Sequence, residues 1–398
     1  AARFDHPAKK LVMIGVTGTM GKTTTTHMIR AILLAAGKKV GMIGTTGTVI
    51  GDVVTPTLNT TPESYELHQA FAQMVEAGCE YAVMEVSSQG IKMHRTDGLY
   101  FNYAIFTNIS PDHIGPGEHA DFEEYLYYKT RLLNMCGIGL VNKDDKHAPQ
   151  IIKAANCELY TYSEESKEAD FVASDIRYVS QPDFVGTEFH ISGKYDMEVR
   201  LGIPGLFNVV NALAAVSVCS FLGLDQARIS HALENIRVNG RMEIVYTSER
   251  CTVLVDYAHN AVSMESLLST LRDYKPKRLV CVFGCGGNRS KDRRYSMGEI
   301  GGKMADLSFI TADNSRYEKV EDIIADIRGS IEKTGGKFIE IPDRREAIRY
   351  SILHAQPGDM VAVIGKGHED YQEINGVRHH FLDREVIEET VKELGEKA

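Results

Sequence analysis

The sequence contains no Cys-x-x-Cys pair, although it holds seven cysteines in 398 residues. Cys79, Cys136, Cys157, Cys219, Cys251, Cys281 and Cys285 are odd in number and scattered through apolar runs. That argues against a disulfide framework and for buried, reduced thiols in the cytoplasm. No apolar run approaches the length of a membrane span and no signal sequence is visible, so no membrane association is expected. No block of basic residues appears either, and 44 Lys and Arg stand against 54 Asp and Glu, a formal net charge of −10. Nucleic acid is therefore not an expected partner. Internal repeats and low-complexity segments are absent. What remains is ordinary globular composition, 43% hydrophobic and 25% charged, with length enough for two or three cores.

Apolar runs alternate with helical patterns, the rhythm of a parallel sheet with crossover helices. Strands are expected at residues 11–16, near 40–43 and at 81–86, and a helix at 22–36 closed by Gly37. Residues 171–201 turn to short alternating stretches, which suggests an antiparallel element. A helix over 208–221 follows, and the glycine of Val238-Asn239-Gly240-Arg241 marks the junction between a domain at 1–240 and another at 241–398. Beyond it strands at 252–257, 278–283, 307–311 and 360–364 restart the α/β alternation. The expected class is α/β: a phosphate-loop ATPase domain with a mostly parallel sheet plus an antiparallel element, then a Rossmann-like domain.

The stretch with most chemistry is Val16-Thr17-Gly18-Thr19-Met20-Gly21-Lys22-Thr23-Thr24, between the first strand and first helix. The strict spacing G-x-x-x-x-G-K-[ST] fails, because Val16 stands where its first glycine belongs; a shorter loop is present. A glycine turn aims backbone N–H groups at phosphate oxygens, the helix N-terminus adds positive partial charge, Lys22 reaches the terminal phosphates and Thr23 offers Mg²⁺ a hydroxyl. The bland alternative, a solvated turn, does not account for strand, glycines, Lys-Thr-Thr and helix in that order.

Glu85 ends an apolar strand where parallel sheets place ligands, and a carboxylate there suits a metal beside phosphates; a satisfied structural acid is the alternative. Phe106-Thr107-Asn108-Ile109-Ser110-Pro111-Asp112-His113 ends another apolar run with metal-compatible groups, and beside a phosphate loop His113 suits a second Mg²⁺. Lys129 lies on a helical stretch whose aromatic stripe reads simply as packing. In the second domain Val255-Asp256-Tyr257-Ala258-His259, Gly284-Cys285-Gly286-Gly287-Asn288-Arg289 and Gly365-Lys366-Gly367-His368-Glu369 each follow a strand. Three polar loops on one rim make a site, and Asp256 suits a ribose hydroxyl.

These motifs, with TTPES at 60–64, MEVSSQG at 84–90, GLFNVVNALAA at 205–215, NGRME at 239–243, TADNSR at 311–316 and GKGHEDYQ at 365–372, resemble the Mur ligase family from about Phe4 to the C-terminal region. The resemblance implies ATP-dependent amide formation: a muramoyl-peptide carboxylate becomes an acyl phosphate, and an amino acid's amine displaces phosphate. It implies that Gly18, Thr19, Gly21, Lys22, Thr23 and Thr24 hold the phosphates, that Thr23 and Glu85 bind one Mg²⁺ and His113 a second, and that Lys129 matches a position carbamylated in relatives. Lys22, Glu85, His113 and Lys129 are thereby the catalytic set, with Lys129 joining the metal ligands as a carbamate. Asn208 and Asn211 match positions near the adenine, Asp256 and the adjoining His259 the ribose side, and Arg241 an arginine that approaches the phosphates when domains close.

Thr60, Thr61, Ser87 and Arg95 match the acceptor site, with Met20 and Met93 as departures from the family's usual Asn and Gln. Arg294, Asp313, Asn314, Arg316, Gly365 and Glu369 match positions that select meso-diaminopimelate, a guanidinium taking its distal carboxylate. The usual proline of that Asp-Asn-Pro-Arg motif is Ser315. The implied partners are small molecules, with no nucleic acid or membrane, and the expected state is a cytoplasmic monomer. An N-terminal domain that grips the uridine diphosphate in family members is expected to be lacking. Alternatives remain: a ligase acting on a poly-γ-glutamate or folate-like acceptor, a plain phosphate-loop ATPase or kinase, or a non-catalytic paralogue.

Overall fold

Strands buried on both faces read as near-continuous apolar runs, and the run Val12–Thr17 forms the strand around which the first sheet is built. The computed structural model describes residues 1–112, 114–115 and 117–395. Within them the strands are β1 (Val12–Thr17), β2 (Val40–Gly44), β3 (Gly47–Ile50), β4 (Val53–Thr55), β5 (Tyr81–Glu85), β6 (Phe101–Phe106), β7 (Cys136–Asn142), β8 (Glu158–Ser163), β9 (Phe171–Gln181), β10 (Phe184–Gly193) and β11 (Met197–Leu201). They form one sheet in the order β11-β10-β9-β8-β7-β6-β1-β5-β2-β3-β4. β1 runs parallel to both β5 and β6, which brings the C-terminal ends of all three to one edge. On that edge lie Thr17, Glu85 and Phe106, so the phosphate-loop candidate, the acidic strand end and the start of the segment after Phe106 share one rim.

The antiparallel element expected over 171–201 is the hairpin of β9 and β10, joined by a two-residue turn at 182–183. β9 itself leaves β8 in parallel, which sequence alternation does not reveal. The helix Leu206–Ser220 is apolar nearly all round, and its residues Asn208, Val209 and 211–219 are buried, as such a helix must be. It packs on the helix Lys22–Ala35 that follows the phosphate loop.

The chain divides into two compact units. One comprises Ala1–Arg177, Glu188–Leu201 and Leu206–Ile236; the other comprises Tyr178–Thr187, Gly202–Gly205 and Arg237–Ala398. A single cut at residue 240 therefore misses the hairpin tip. Its place in the second unit has a local cause: the Tyr274 hydroxyl lies 2.9 Å from Thr187 Oγ1 and accepts the Gly205 N–H at 3.0 Å, and its ring meets Tyr178 at 5.1 Å.

The second unit holds β12 (Glu243–Thr247), β13 (Cys251–Asp256), β14 (Arg278–Phe283), β15 (Leu307–Ile310), β16 (Phe338–Glu340) and β17 (Asp359–Ile364) in the order β12-β13-β17-β14-β15-β16, followed by the hairpin β18 (Tyr371–Ile374) and β19 (Val377–His380). β13, β17, β14, β15 and β16 are mutually parallel, and only β12 pairs antiparallel. The C-terminal ends of β13, β14, β15 and β17 meet at the place where doubly wound sheets bind ligands.

Candidate active site

At the end of β1 the chain turns through Gly18 at φ +148° and Gly21 at φ +83°, conformations that favour glycine. A Cβ on Gly18 would stand 1.9 Å from Thr107 Oγ1, and one on Gly21 2.4 Å from Asn211 Oδ1. The loop is held from behind: Thr107 Oγ1 donates to the Met20 carbonyl at 2.7 Å, and Asn108 Oδ1 accepts the Met20 N–H at 2.9 Å. No side chain caps the helix Lys22–Ala35, and no acidic residue occupies its first turn. Its leading N–H groups and positive end are thus suited to an anion. Lys22 Nζ donates to the carbonyls of Gly18 and Thr19 at 2.9 and 3.0 Å, folded back over the loop, and Thr24 is buried within the first turn.

Glu85 is 1% exposed at the end of β5. Its Oε1 accepts from the Thr23 hydroxyl at 3.0 Å and the Thr45 N–H at 2.9 Å, and its Oε2 from the Thr45 hydroxyl at 3.3 Å. A buried carboxylate and a hydroxyl converging beside a phosphate-binding loop form the oxygen donor set that Mg²⁺ takes when phosphates complete its shell. Thr45, in the turn between β2 and β3, escaped sequence analysis; the Gly-Thr-Thr-Gly turn after a strand was its only signal. Thr60 Oγ1 lies 3.1 Å from Thr45 Oγ1 and extends this row.

Thr61 has another task than contacting an acceptor. It is fully buried, its hydroxyl donates to the Glu85 carbonyl at 3.0 Å and accepts the Ser87 N–H at 2.9 Å, and so it braces the turn after β5. Ser87 Oγ accepts the Gly90 N–H, and Arg95 reaches the Thr61 carbonyl at 3.1 Å while pairing with Glu63 at 2.8 Å.

Lys129 is 2% exposed on the helix Phe122–Thr130, with Nζ donating to the Gly18 carbonyl at 2.7 Å and standing 4.7 Å from the centre of the Tyr125 ring. Burial, then repulsion from Lys22, holds its pKa well below the ordinary lysine range, against a smaller opposing pull from Asp112. Tyr125, whose hydroxyl lies 3.1 Å from Thr19 Oγ1, is pushed up to about 12, chiefly by burial. Thus the simple packing role open to Lys129 on sequence grounds gives way to an amine held against the phosphate loop. His113 lies outside the described residues. Asn208 and Asn211 are buried and bonded to each other at 3.2 Å, and Thr25 donates to Asn211 Oδ1 at 3.4 Å, so both amides stand behind Gly21.

In the second unit a cleft of about 340 Å³ opens at the C-terminal ends of β13, β14, β15 and β17. Arg289, Arg293 and Arg316 line it together with Asp313, Asn314, Glu369, Tyr257, His259 and Gly365. Arg294 does not: it is 1% exposed, its Nη2 donates to both Glu318 carboxylate oxygens at 2.8 Å and its Nη1 to Asp326 at 2.9 Å. Arg293 and Arg294 are consecutive on the helix Asp292–Met304, so they diverge by about 100° around its axis. Sequence alone did not say which of the two faces the cleft.

The loops around the cleft are tied at their roots. Arg344, fully buried, pairs with Asp383 through two 2.7 Å bonds and donates to the carbonyls of Ile364 at 3.0 Å and Ala312 at 3.3 Å. Arg316 adopts φ +51° and donates to the Gly287 carbonyl at 2.7 Å. Asp256 accepts the N–H groups of Met242 and Ala258, each at 2.8 Å, so part of its acceptor capacity orders its own loop; burial raises its pKa despite those bonds. The Arg241 guanidinium stands 4.9 Å from the centre of the Tyr257 ring, and His259 Nδ1 lies 2.8 Å from the Tyr257 carbonyl.

Comparison with known proteins matches residues 16–219 to the Mur ligase middle domain and residues 240–367 to the Mur ligase, glutamate ligase domain. A UDP-N-acetylmuramoyl-L-alanyl-D-glutamate--2,6-diaminopimelate ligase from Caldanaerobacter subterraneus subsp. tengcongensis is 40% identical over 98% of this chain and 80% of its own length. The ligase of the same name from Clostridioides difficile is 39% identical over 98% of this chain and 81% of its own. Among solved structures, one of a ligase with that name is similar with a TM-score of 0.76 and 34% identity, over 97% of this chain and 79% of the other. A folylpolyglutamate synthase from Thermotoga maritima, at 18% identity and TM-score 0.70 over 92% of this chain and 88% of the other, shares the fold.

Proposed function

The chain belongs to the Mur ligase family and is an ATP-dependent ligase; from that premise we propose that it joins an amine of meso-2,6-diaminopimelate to the carboxylate of a UDP-muramoyl dipeptide in peptidoglycan precursor synthesis. One observation carries the choice of amino acid. The second-unit cleft sets Arg289, Arg293 and Arg316 against Asp313 and Glu369, a mixed lining suited to a molecule with two carboxylates and two ammonium groups.

The loop N–H groups, the helix N-terminus and Lys22 bind and orient the triphosphate, with Asn208 and Asn211 on the adenine side; in the second unit, Asp256, His259 and Arg241 match the family's nucleotide positions. Thr23 and Glu85 would hold a Mg²⁺ ion, with His113 at a second, and the ion would neutralise charge on the transferring phosphoryl group. Thr60, Ser87 and Arg95 orient the acceptor, whose carboxylate oxygen attacks the γ-phosphorus as ADP leaves. The diamino acid, held by Arg316, Asp313, Asn314 and Glu369 beside Gly365, then attacks the acyl carbon as a free amine. Phosphate departs, the nitrogen loses a proton, and an amide remains.

Lys129 is assigned a carbamate. A neutral amine adds to CO₂ and releases one proton, and the burial and Lys22 repulsion that lower the Lys129 pKa favour the neutral form that makes this addition. A carbamate would supply negative oxygens to a metal that an ammonium would repel. The seven free cysteines suit a reducing compartment, and we place the reaction in the cytoplasm.

The test is phosphate release from ATP with acceptor and diamino acid supplied separately and together. Release that needs both supports the ligase reading; release indifferent to both favours a simple ATPase and removes it.

A further inference from the structure

Lys366 is fully buried, and no role above uses it. A buried ammonium is costly unless paired. Its Nζ donates to Asn314 Oδ1 and to Glu369 Oε2, both at 3.3 Å, and stands 5.3 Å from the centre of the Tyr371 ring. Asn314 and Glu369 line the cleft, whereas Lys366 stands behind them. Asn314 donates from Nδ2 to the same Glu369 Oε2 at 3.1 Å, and its Oδ1 also accepts the Glu373 N–H at 2.9 Å. Lys366 and the β18 backbone thus fix which way that amide points, since both donate to its oxygen.

The carboxylate of Glu369 is left asymmetric. Each oxygen has about two lone-pair sites, and Oε2 spends both on Lys366 and Asn314. Oε1 receives the Tyr257 hydroxyl at a long 3.4 Å. Capacity for a ligand therefore lies on Oε1. We propose that Lys366 is a positioning residue for the amino-acid cleft: by occupying Oε2 and fixing Asn314, it confines a substrate ammonium to Oε1 and lets the cleft discriminate between stereoisomers of a diamino dicarboxylate. This rests on the ligase reading above.

The experiment compares kcat and KM for meso- and LL-diaminopimelate in the full chain, with ATP and the UDP-muramoyl dipeptide saturating, for wild type, Lys366→Met, Glu369→Gln and the double variant. Lys366→Met is expected to lower the meso-over-LL preference in kcat/KM by about tenfold, the scale of a hydrogen bond to a charged group, through KM for the amino acid. KM for ATP should stay within about twofold, and in the Glu369→Gln background the same substitution should change the preference by less than about twofold, because the carboxylate that Lys366 makes asymmetric, and with it the charge that takes the substrate ammonium, is gone. A wild-type preference in Lys366→Met, or effects that add in the double variant, overturns the inference. Should Lys366→Met not fold, Lys366→Gln keeps an N–H donor on a shorter chain; a several-fold loss of preference supports the proposal and an unchanged one overturns it. Wild-type protein that forms no amide with either isomer removes the ligase reading itself, and that outcome is distinct from a folded, active Lys366 variant that keeps its preference.

Discussion

Lys129 and Arg316 illustrate how much a single side chain's surroundings add to its identity. In the sequence Lys129 is one lysine on an aromatic helical stretch; in the fold its Nζ is 2.7 Å from the Gly18 carbonyl and cut off from water. With its pKa depressed by burial and by Lys22, more of the amine is neutral at pH 7 than in an ordinary lysine, and falling pH reprotonates it. Protein equilibrated with ¹³C-bicarbonate should accordingly display a carbamate carbon resonance that weakens on acidification and is missing from Lys129→Ala. Equal spectra for the two proteins would remove the carbamate. Arg316 is pinned by the Gly287 carbonyl and lies 3.5 Å from Glu373, so its head is ordered before a ligand arrives. Arg316→Ala should raise KM for the diamino acid by roughly 2 kcal/mol, the scale of a charged hydrogen bond, with KM for ATP unchanged. Steady-state titration of each substrate decides it, and an unaltered amino-acid KM places the side-chain pocket elsewhere.

At the scale of elements, what the sequence made legible was whatever repeats along a strand or sits at its end. The apolar runs of β1, β5 and β6 announced a parallel sheet, and the loops ending β13, β14 and β17 announced a shared rim, because burial on both faces leaves strand ends as the place for polar groups. Features set by long-range packing stayed hidden: the parallel pairing of β8 with β9, Thr45 reaching Glu85, and which of Arg293 and Arg294 faces the cleft. Thr61 was legible as part of a motif but not as a brace, since its two bonds join residues 24 and 26 positions away.

The loop after β8 carries its own prediction. Glu164 is pushed up to about 7, first by burial and then by Asp144 and Glu165. Raised in the fold from 4.5, this carboxyl favours the folded state while protonated, and that contribution fades as pH climbs from about 4.5 through about 7. Glu164→Gln should therefore stabilise the fold at pH 8 by on the order of 1 kcal/mol after allowance for solvent screening, seen as a higher melting midpoint, and leave the midpoint nearly unchanged at pH 4. Calorimetric scans across that pH range check it; a gain confined to low pH would contradict the assignment.

At the scale of the whole molecule, two independently cored units each bring one half of a reaction's requirements: a phosphate loop with an acidic strand end in one, a zwitterion-lined cleft in the other. The second unit depends on a buried ion pair, since Arg344 and Asp383 together hold the carbonyls that lead into the loops at 313–316 and 365–369. Asp383→Asn leaves a buried guanidinium without its counter-charge and should cost about 3–5 kcal/mol in stability of that unit, read by denaturant unfolding. A change below about 1 kcal/mol would mean that water or another acid replaces the partner. The family assignment was readable because its motifs are ordered along the chain; Arg289 was legible at the end of the glycine turn after β14, whereas Arg293, also in the cleft, was not singled out because nothing local marks it.

The most direct measurement is the mass of the product formed when the protein is incubated with ATP, Mg²⁺, UDP-N-acetylmuramoyl-L-alanyl-D-glutamate and meso-diaminopimelate, with phosphate counted alongside. The account predicts one species with the mass of acceptor plus diamino acid less one water, and one phosphate released for each molecule of it. Phosphate accumulating while both substrates keep their original masses would contradict it.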